Sequence, residues 1–290
     1  MFTQLYKEVS IMKRILAIYF FVLLVLVSLC GCSKRPAVIG QDLGYWQERK
    51  ENGELDLCPI NVMCSSGATT LSSERRGKKT IRFYDVLMQL ETEADRSMDT
   101  KSFFGDSLVS YTIELYDGNG FGLPENPYRT FTFVKDCEYA AYVEHGKLIG
   151  KIYRVKNPEV IRDFLEEMGI YIPSRIAERL IKDTQSFISE NDSLMKMAEN
   201  CERVFLRINS SEDGSYEERV PTREDDLSLN VNDFHMGVLP SGSMQMYGPA
   251  DYCVKANHWR DDSILEMEFR YVLNGEGECE LYEIIITYGD

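Results

Sequence analysis

The chain has 290 residues, with 47 acidic against 32 basic side chains and a net charge of −15 at pH 7. Its 44% hydrophobic and 11% aromatic content is that of a folded protein, which excludes an intrinsically disordered chain. A surface of that sign repels nucleic acid and anionic lipid headgroups, so nucleic acid is not an expected partner.

The first residues carry an address. Lys13 and Arg14 precede an unbroken apolar run over residues 15–27, and Leu29-Cys30-Gly31-Cys32 follows. A charged start, a short apolar stretch and small residues at a cleavage point mark a secretory signal. The run is shorter than the roughly 20 apolar residues that span a bilayer. Leu29-Cys30-Gly31-Cys32 resembles the lipobox of bacterial lipoproteins: an aliphatic residue, a small residue, Gly and an obligatory Cys. That resemblance implies that the Cys32 thiol is acylated with diacylglycerol and that a peptidase cuts before it. Residues 1–31 are then a signal peptide, with Met12 as the expected true start. The chain is expected in the cell envelope, anchored by lipid to a membrane outside the cytoplasm, on the periplasmic face or the cell surface. Several acyl chains, at ~0.8 kcal/mol per buried CH₂, make such an attachment lasting. Loss of residues 1–31 removes Lys7, Lys13, Arg14 and Glu8, leaving 29 basic against 46 acidic residues and a net charge of −17.

Cys58, Cys64, Cys137, Cys201, Cys253 and Cys279 follow Cys32. An exported compartment permits disulfides, and sequence does not select among the pairings. Cys58 and Cys64 bracket a small loop and are the expected bridge. Cys253 and Cys279, on neighbouring predicted strands, come second. Six free, buried thiols are the alternative. No C-x-x-C or H-x₃-H spacing calls for zinc.

Residues 33–44 lack periodicity and read as a tether, with Tyr45-Trp46 as the first packed residues. Residues 52–79 are rich in Gly, Ser and Thr and read as loop. They end in Arg75-Arg76-Gly77-Lys78-Lys79, a dense basic cluster in an acidic chain. It suits contact with headgroups or an acidic partner, and equally a solvated loop. Over residues 81–95 two periods compete. Tyr84, Val86, Met88 and Leu90 alternate as in a strand, while Phe83, Leu87, Leu90 and Ala94 recur as in a helix; the reading leans to a strand. Residues 108–116, 129–135, 138–144 and 148–155 then alternate between turn signals, Asp117-Gly118-Asn119-Gly120 and His145-Gly146 among them. They form an antiparallel meander.

Asn157-Pro158 starts a helix lined by Val160, Ile161, Phe164, Leu165 and Met168, and Gly169 ends it. Ser174 caps a second, with Ile176, Leu180, Ile181, Phe187 and Ile188 inward. A short third helix carries Leu194, Met197, Ala198 and Cys201 and leads into a strand over 204–208. Residues 209–249 read as a linker or long acidic surface loop. A hairpin closes the chain, with strands 264–273 and 278–287 about Asn274-Gly275-Glu276-Gly277. The expected organisation is a lipidated N-terminus, tether and loop over 32–79. A single α+β domain over 80–290 follows, an antiparallel sheet packed with two or three helices, with the acidic loop near 209–250.

Chemistry is sparse. Asp117-Gly118-Asn119-Gly120-Phe121-Gly122 opens like a calcium loop, but Phe121 fills a position that needs an oxygen, and Tyr128 stands where Glu belongs. A hairpin turn explains it. The carboxylates between Glu212 and Asp226 lack a fixed ligand spacing. His235-Met236, Met244-Gln245-Met246 and His258 offer soft ligands suited to Cu(I), although Met is also a common core filler. No G-x-S-x-G elbow, phosphate-cradling Gly loop or dinucleotide fingerprint is present, so no cofactor and no catalytic set is expected. His258-Trp259-Arg260, followed by Asp261-Asp262, is the densest polar and aromatic group and the candidate binding rim. The expected function is that of a lipid-anchored envelope protein acting as a protein- or ligand-binding module, for which a basic protein is a suitable partner. The alternatives are an envelope hydrolase using carboxylates or a metal, and a structural or assembly lipoprotein.

Overall fold

A computed structural model of the chain describes residues 43–67, 69–105, 107–116, 127–144, 147–209, 216–225, 227–240, 250–260 and 263–289. Helix α1 (Gly44–Glu51) buries Trp46, and a 3₁₀ turn (Leu55–Leu57) follows. Strands β1 (Ile60–Ser66) and β2 (Thr69–Arg75) then pair as an antiparallel hairpin. This corrects the loop expected over 52–79. Ile60, Val62 and Cys64 point inward and are fully buried, while Thr70 and Ser72 are exposed. Thr70 and Ser72, two of the residues that suggest a loop, lie on the outward face of an alternating strand pair, while Ser66, Thr69 and Ser73 are buried in it. The folded unit therefore reaches back well before residue 80.

Helix α2 (Lys78–Gln89) replaces the strand favoured near residue 81. Thr80, Phe83, Tyr84, Val86 and Leu87 are its buried residues, the three-to-four spacing of one helical face. Strand β3 (Thr92–Asp95) and the short α3 (Thr100–Gly105) follow. Strands β4 (Val109–Leu115), β5 (Arg129–Val134), β6 (Tyr139–Glu144) and β7 (Lys147–Val155) form the expected meander. Helices α4 (Glu159–Glu167), α5 (Ser174–Glu190) and α6 (Leu194–Asn200) stand where the apolar stripes place them.

Strand β8 (Val204–Asn209) is followed by β9 (Tyr216–Arg219), 3₁₀ turns at Arg223–Asp225 and Val231–Asp233, and β10 (His235–Pro240). The segment expected as a long acidic loop thus contributes two strands. Strands β11 (Tyr252–Arg260), β12 (Ser263–Leu273) and β13 (Cys279–Gly289) complete the chain.

The class is α+β, built on two sheets where one was expected. The seven-stranded sheet runs β2-β1-β4-β5-β6-β7-β3, and the six-stranded sheet runs β10-β11-β12-β13-β8-β9. All pairs are antiparallel except β13 with β8. Helices α2 and α4 cover the first sheet, with the Phe83 ring 6.5 Å from Phe131 and 5.2 Å from Phe164. Helix α5 covers the second, with Phe187 at 6.2 Å from Phe269 and a 2.7 Å hydrogen bond between the Thr184 and Tyr271 hydroxyls. Phe83, Phe131, Phe164 and Phe269 are fully buried, and each contributes about 1.5–3 kcal/mol. The buried Tyr111 hydroxyl donates to the Ile172 carbonyl and accepts from the Ile172 N–H, both at 2.9 Å. It ties the α4–α5 connection to the first sheet.

The two sheets meet where the β1–β2 turn crosses β10. A Cβ at Gly67 would overlap the Met236 carbonyl. One at Gly237 would overlap the Ser66 carbonyl and stand 2.5 Å from Thr69 Oγ1. Val238 N–H donates to Ser66 Oγ at 3.1 Å across the same crossing. Gly67 also has φ +56°, where other residues are strained.

Along β12, Met267, Phe269 and Tyr271 face the core, and the intervening residues face away. Those residues carry a chain of alternating charges. Lys255 bridges Glu266 (2.9 Å) and Glu268 (3.1 Å). Arg270 bridges Glu268 (3.0 Å) and Glu283 (2.8 Å), and Arg203 ends the chain on Glu283 at 3.1 Å. Three cations meet three carboxylates, so the ladder is neutral. Glu268, Arg270 and Glu283 are only 8%, 4% and 4% exposed. Burial opposes ionisation of Glu268, but Lys255 and Arg270 outweigh it and hold the carboxyl below its ordinary value. Burial likewise lowers Lys255, and Glu268 with Glu266 more than reverses this, so its pKa is raised.

Gly237→Ala should cost about 1–3 kcal/mol by urea denaturation. Gly275→Ala, where a Cβ meets nothing within 4 Å, should stay within about 0.5 kcal/mol. Arg270→Ala, which leaves Glu268 to Lys255 and Glu283 to Arg203 and the buried ladder one cation short, should cost about 3–5 kcal/mol. The pH dependence has two limbs. Depressed Glu268 adds stability above its ordinary 4.5, lost as pH falls below that value. Raised Lys255 adds stability below its ordinary 10.5, lost as pH climbs past it. Lys255→Met should weaken the alkaline limb of the denaturation profile, to which the raised buried thiols of Cys64, Cys137 and Cys253 also contribute.

Candidate functional site

The pairing register of the second sheet sets the floor of a cleft. His258 lies opposite Leu265, Leu265 opposite Tyr288, and Tyr288 beside Ile208. Partners in register point to the same face, so these four form one row across β11, β12, β13 and β8. Farther along the same face, Met267 and Phe269 lie in the core packed against α5. The row ends at Ile208, which is 38% exposed.

A strap over residues 227–234 closes one side. It is pinned to the segment before α6 by Leu229 N–H to the Asp192 carbonyl (2.8 Å) and Leu194 N–H to the Leu227 carbonyl (3.3 Å). Buried Leu229 and Phe234 anchor it. The Asn230 side chain accepts from Asn232 N–H at 3.2 Å and so caps the 3₁₀ turn. The Phe234 ring stands edge-on to His258, centroids 5.5 Å apart.

The enclosed cleft has a volume of about 320 Å³ and is lined by Leu227, Ser228, Leu229, Asn230, Asp233, His258, Leu265 and Tyr288. Its floor is aliphatic and aromatic, and its rim carries a carboxylate, an amide, a hydroxyl and an imidazole. That is the composition of a small-ligand site. On the other side of the strap, a wider cleft of about 570 Å³ lies against α5, lined by Lys182, Gln185, Glu190, Asn232 and Phe234 among others. Ser228, His258 and Asp233 are the residue types of a nucleophile, base and orienter. Among the described residues no hydrogen bond joins any two of them.

Of the candidate rim, His258 lies in this cleft. Trp259 and Arg260 continue β11 at its end, with side chains outside the described residues, as are Asp261 and Asp262. The rim is therefore strand, not the loop that equally accounts for its composition. Cys32, the calcium-like loop at 117–122, His145, Met244 and Met246 also lie outside the described residues. His235 and Met236 open β10, next to the sheet junction. The acidic stretch is partly organised: Glu218 pairs with Arg207 at 3.0 Å, and Arg219 grips Asp225 with two 2.6 Å bonds. Those bonds, with Thr222 N–H and Oγ1, hold the Asp225 carboxyl far below its usual range. Among the described residues no group of three or more His, Cys, Asp or Glu is placed to hold a metal ion.

The cysteines depart from the expected bridges. Cys58 and Cys64 are both buried free thiols. The extended strand from Ile60 to Cys64 alone covers roughly 13 Å, beyond the ~7 Å that a disulfide spans. Cys253 and Cys279 have β12 between their strands, a separation of roughly 10 Å. Burial pushes the Cys64 thiol up to about 12 and raises Cys137 and Cys253 in the same direction, so all three are poor nucleophiles.

Asp233, Asn230, Ser228 and Tyr288 carry no local motif. The alternation of the last hairpin could have placed Leu265 and Tyr288 on one face, but the strap that meets them is a nonlocal contact. Among the described residues no helix is long and apolar enough to cross a membrane. Comparison of the chain with protein-family models, with curated proteins and with solved structures finds no match.

Alkylation without reductant should modify half-exposed Cys201 and Cys279 in the native protein, and Cys58, Cys64, Cys137 and Cys253 only after unfolding. A bridge between Cys58 and Cys64 would leave both unmodified when peptides are mapped by mass.

Proposed function

We propose that this protein is a lipid-anchored binding module of the cell envelope. Its ligand seats in the cleft between the His258–Leu265–Tyr288 row and the 227–234 strap. The cleft carries this reading: an apolar floor with four different polar groups converging on it, which suits recognition of a small ligand with one apolar and one hydrogen-bonding side. The anchor rests on Leu29-Cys30-Gly31-Cys32 and the short apolar run before it. The floor is set by strand register and the strap by buried Leu229 and Phe234, so the site is preformed, which limits the ordering cost of binding.

Ser228, His258 and Asp233 in one cleft favour a second reading, an envelope hydrolase in which ligand binding closes the hydrogen bonds between them. Hydrolysis of an ester or amide lost in Ser228→Ala, with binding retained, would select it.

The anchor and the cleft are tested separately. Cys32→Ala should release the protein from membranes and leave an unprocessed precursor. Native mass spectrometry of the protein recovered from its own envelope should show noncovalent mass. Asp233→Ala and His258→Ala should weaken its retention about tenfold or more. Retention equal to that of the unaltered chain in both variants would place the ligand elsewhere.

A further inference from the structure

We propose that the face formed by the Leu55–Leu57 turn and the start of α2 is a second membrane contact, seated on anionic lipid headgroups. It rests on the lipid-anchored reading for its proximity to a bilayer. Arg75, Arg76, Lys78, Lys79 and Arg82 gather at the end of β2 and the first turns of α2. Two carboxylates answer part of this charge: Glu74 pairs with Arg76 at 2.9 Å, and Glu167 lies 3.5 Å from Arg82 and 3.9 Å from Lys79. Arg75 and Lys78 pair with no carboxylate among the described residues, and Lys78 is exposed. Asp56 in the neighbouring turn adds a third carboxylate, while Glu54 beside it pairs with Arg49, so among the described residues five cations of this face meet three anions.

Leu57 stands beside this cluster and is 45% exposed. Gly77 N–H donates to the Asp56 carbonyl at 2.9 Å, and Thr80 Oγ1 to the Cys58 carbonyl at 2.7 Å. These bonds fix the turn against the start of α2. An exposed leucine rimmed by cations matches a bilayer interface, which takes the side chain at its acyl boundary and the cations at its phosphates.

Chain connectivity brings the face to the membrane. Leu43 begins the described chain, and the residues between it and Cys32 reach at most ~36–40 Å when extended. Helix α1 adds only about 12 Å before the turn. The net negative charge of the protein opposes docking, but at physiological salt fields decay over ~8 Å. Carboxylates on remote faces are screened, while the cations in contact are not.

The test is hydrogen exchange of the full lipidated chain on phosphatidylcholine vesicles and on vesicles containing phosphatidylglycerol. Co-flotation with phosphatidylcholine reports the anchor alone, so loss of the anchor is seen separately. Peptides covering 55–82 should be protected only with phosphatidylglycerol, and high salt should remove the protection. Arg75→Glu with Lys78→Glu should abolish it while exchange in β12 and β13 stays unchanged, which controls for folding. Each basic residue removed should lower the docked fraction about fivefold. Equal exchange on both vesicle types, in a chain that co-floats, overturns the proposal. Protection seen only with native envelope proteins present, and not on pure lipid, also overturns it and points to an acidic protein.

Discussion

The crossing of the β1–β2 turn over β10 is the constraint on which the rest of the structure depends. There backbone touches backbone, with no room for a side chain at Gly67 or Gly237. The contact contributes little apolar area of its own, but it fixes how the edge of one sheet meets the other. Residues from both sheets then share one hydrophobic core, from Trp46 and Ile60 through Phe164 to Phe269 and Ile286. Burial of that core supplies the stabilisation; the two glycines make the approach feasible.

The charge ladder constrains the second sheet differently. Replacing such a buried network by apolar residues is often neutral or stabilising, so it is weak as a source of stability. Its pairs do hold β11, β12 and β13 to one another residue by residue: Lys255 opposite Glu268, and Arg270 opposite Glu283. A slip of one residue would set Lys255 opposite Met267 or Phe269, separate Arg270 from Glu283, and turn the apolar set away from α5. The same register aligns His258, Leu265 and Tyr288 at the far end of the strands. The floor of the proposed binding cleft is thus a consequence of ionic pairing on the opposite face.

Much of the fold was legible where local signals agreed. The β4–β7 meander and the final hairpin alternate cleanly between turn residues, and the apolar stripes after Asn157-Pro158 and Ser174 are helices, although neither expected cap forms. The Asn157 side chain accepts from Glu91 N–H and donates to the Gln89 carbonyl, and Ser174 is the first helical residue and donates to Asp136. The β1–β2 hairpin was not legible because Ser and Thr, read as loop residues, also suit an outward strand face. Helix α2 was obscured by Tyr84, Val86 and Met88, which mimic a strand period. Tertiary packing of Phe83 against Phe131 and Phe164 decides the matter, and no local window contains it. In the cleft, His258 stands out in the sequence by its polar and aromatic neighbours. The residues that surround it in space, Asp233 and Tyr288, are brought in by strand register and by the strap. The strap itself lay inside a stretch whose acidic composition concealed Leu229 and Phe234.

A binding site built this way is rigid only if both sheets open together. Native-state hydrogen exchange of the intact chain measures this directly. The slowest amides of β4 and β5 and those of β12 and β13 should exchange through the same global opening, with one free energy and one denaturant dependence. Amides of the 227–234 strap should open at lower cost. Separate opening free energies for the two sheets would contradict the account, because the glycine crossing would then join two independent units rather than hold one.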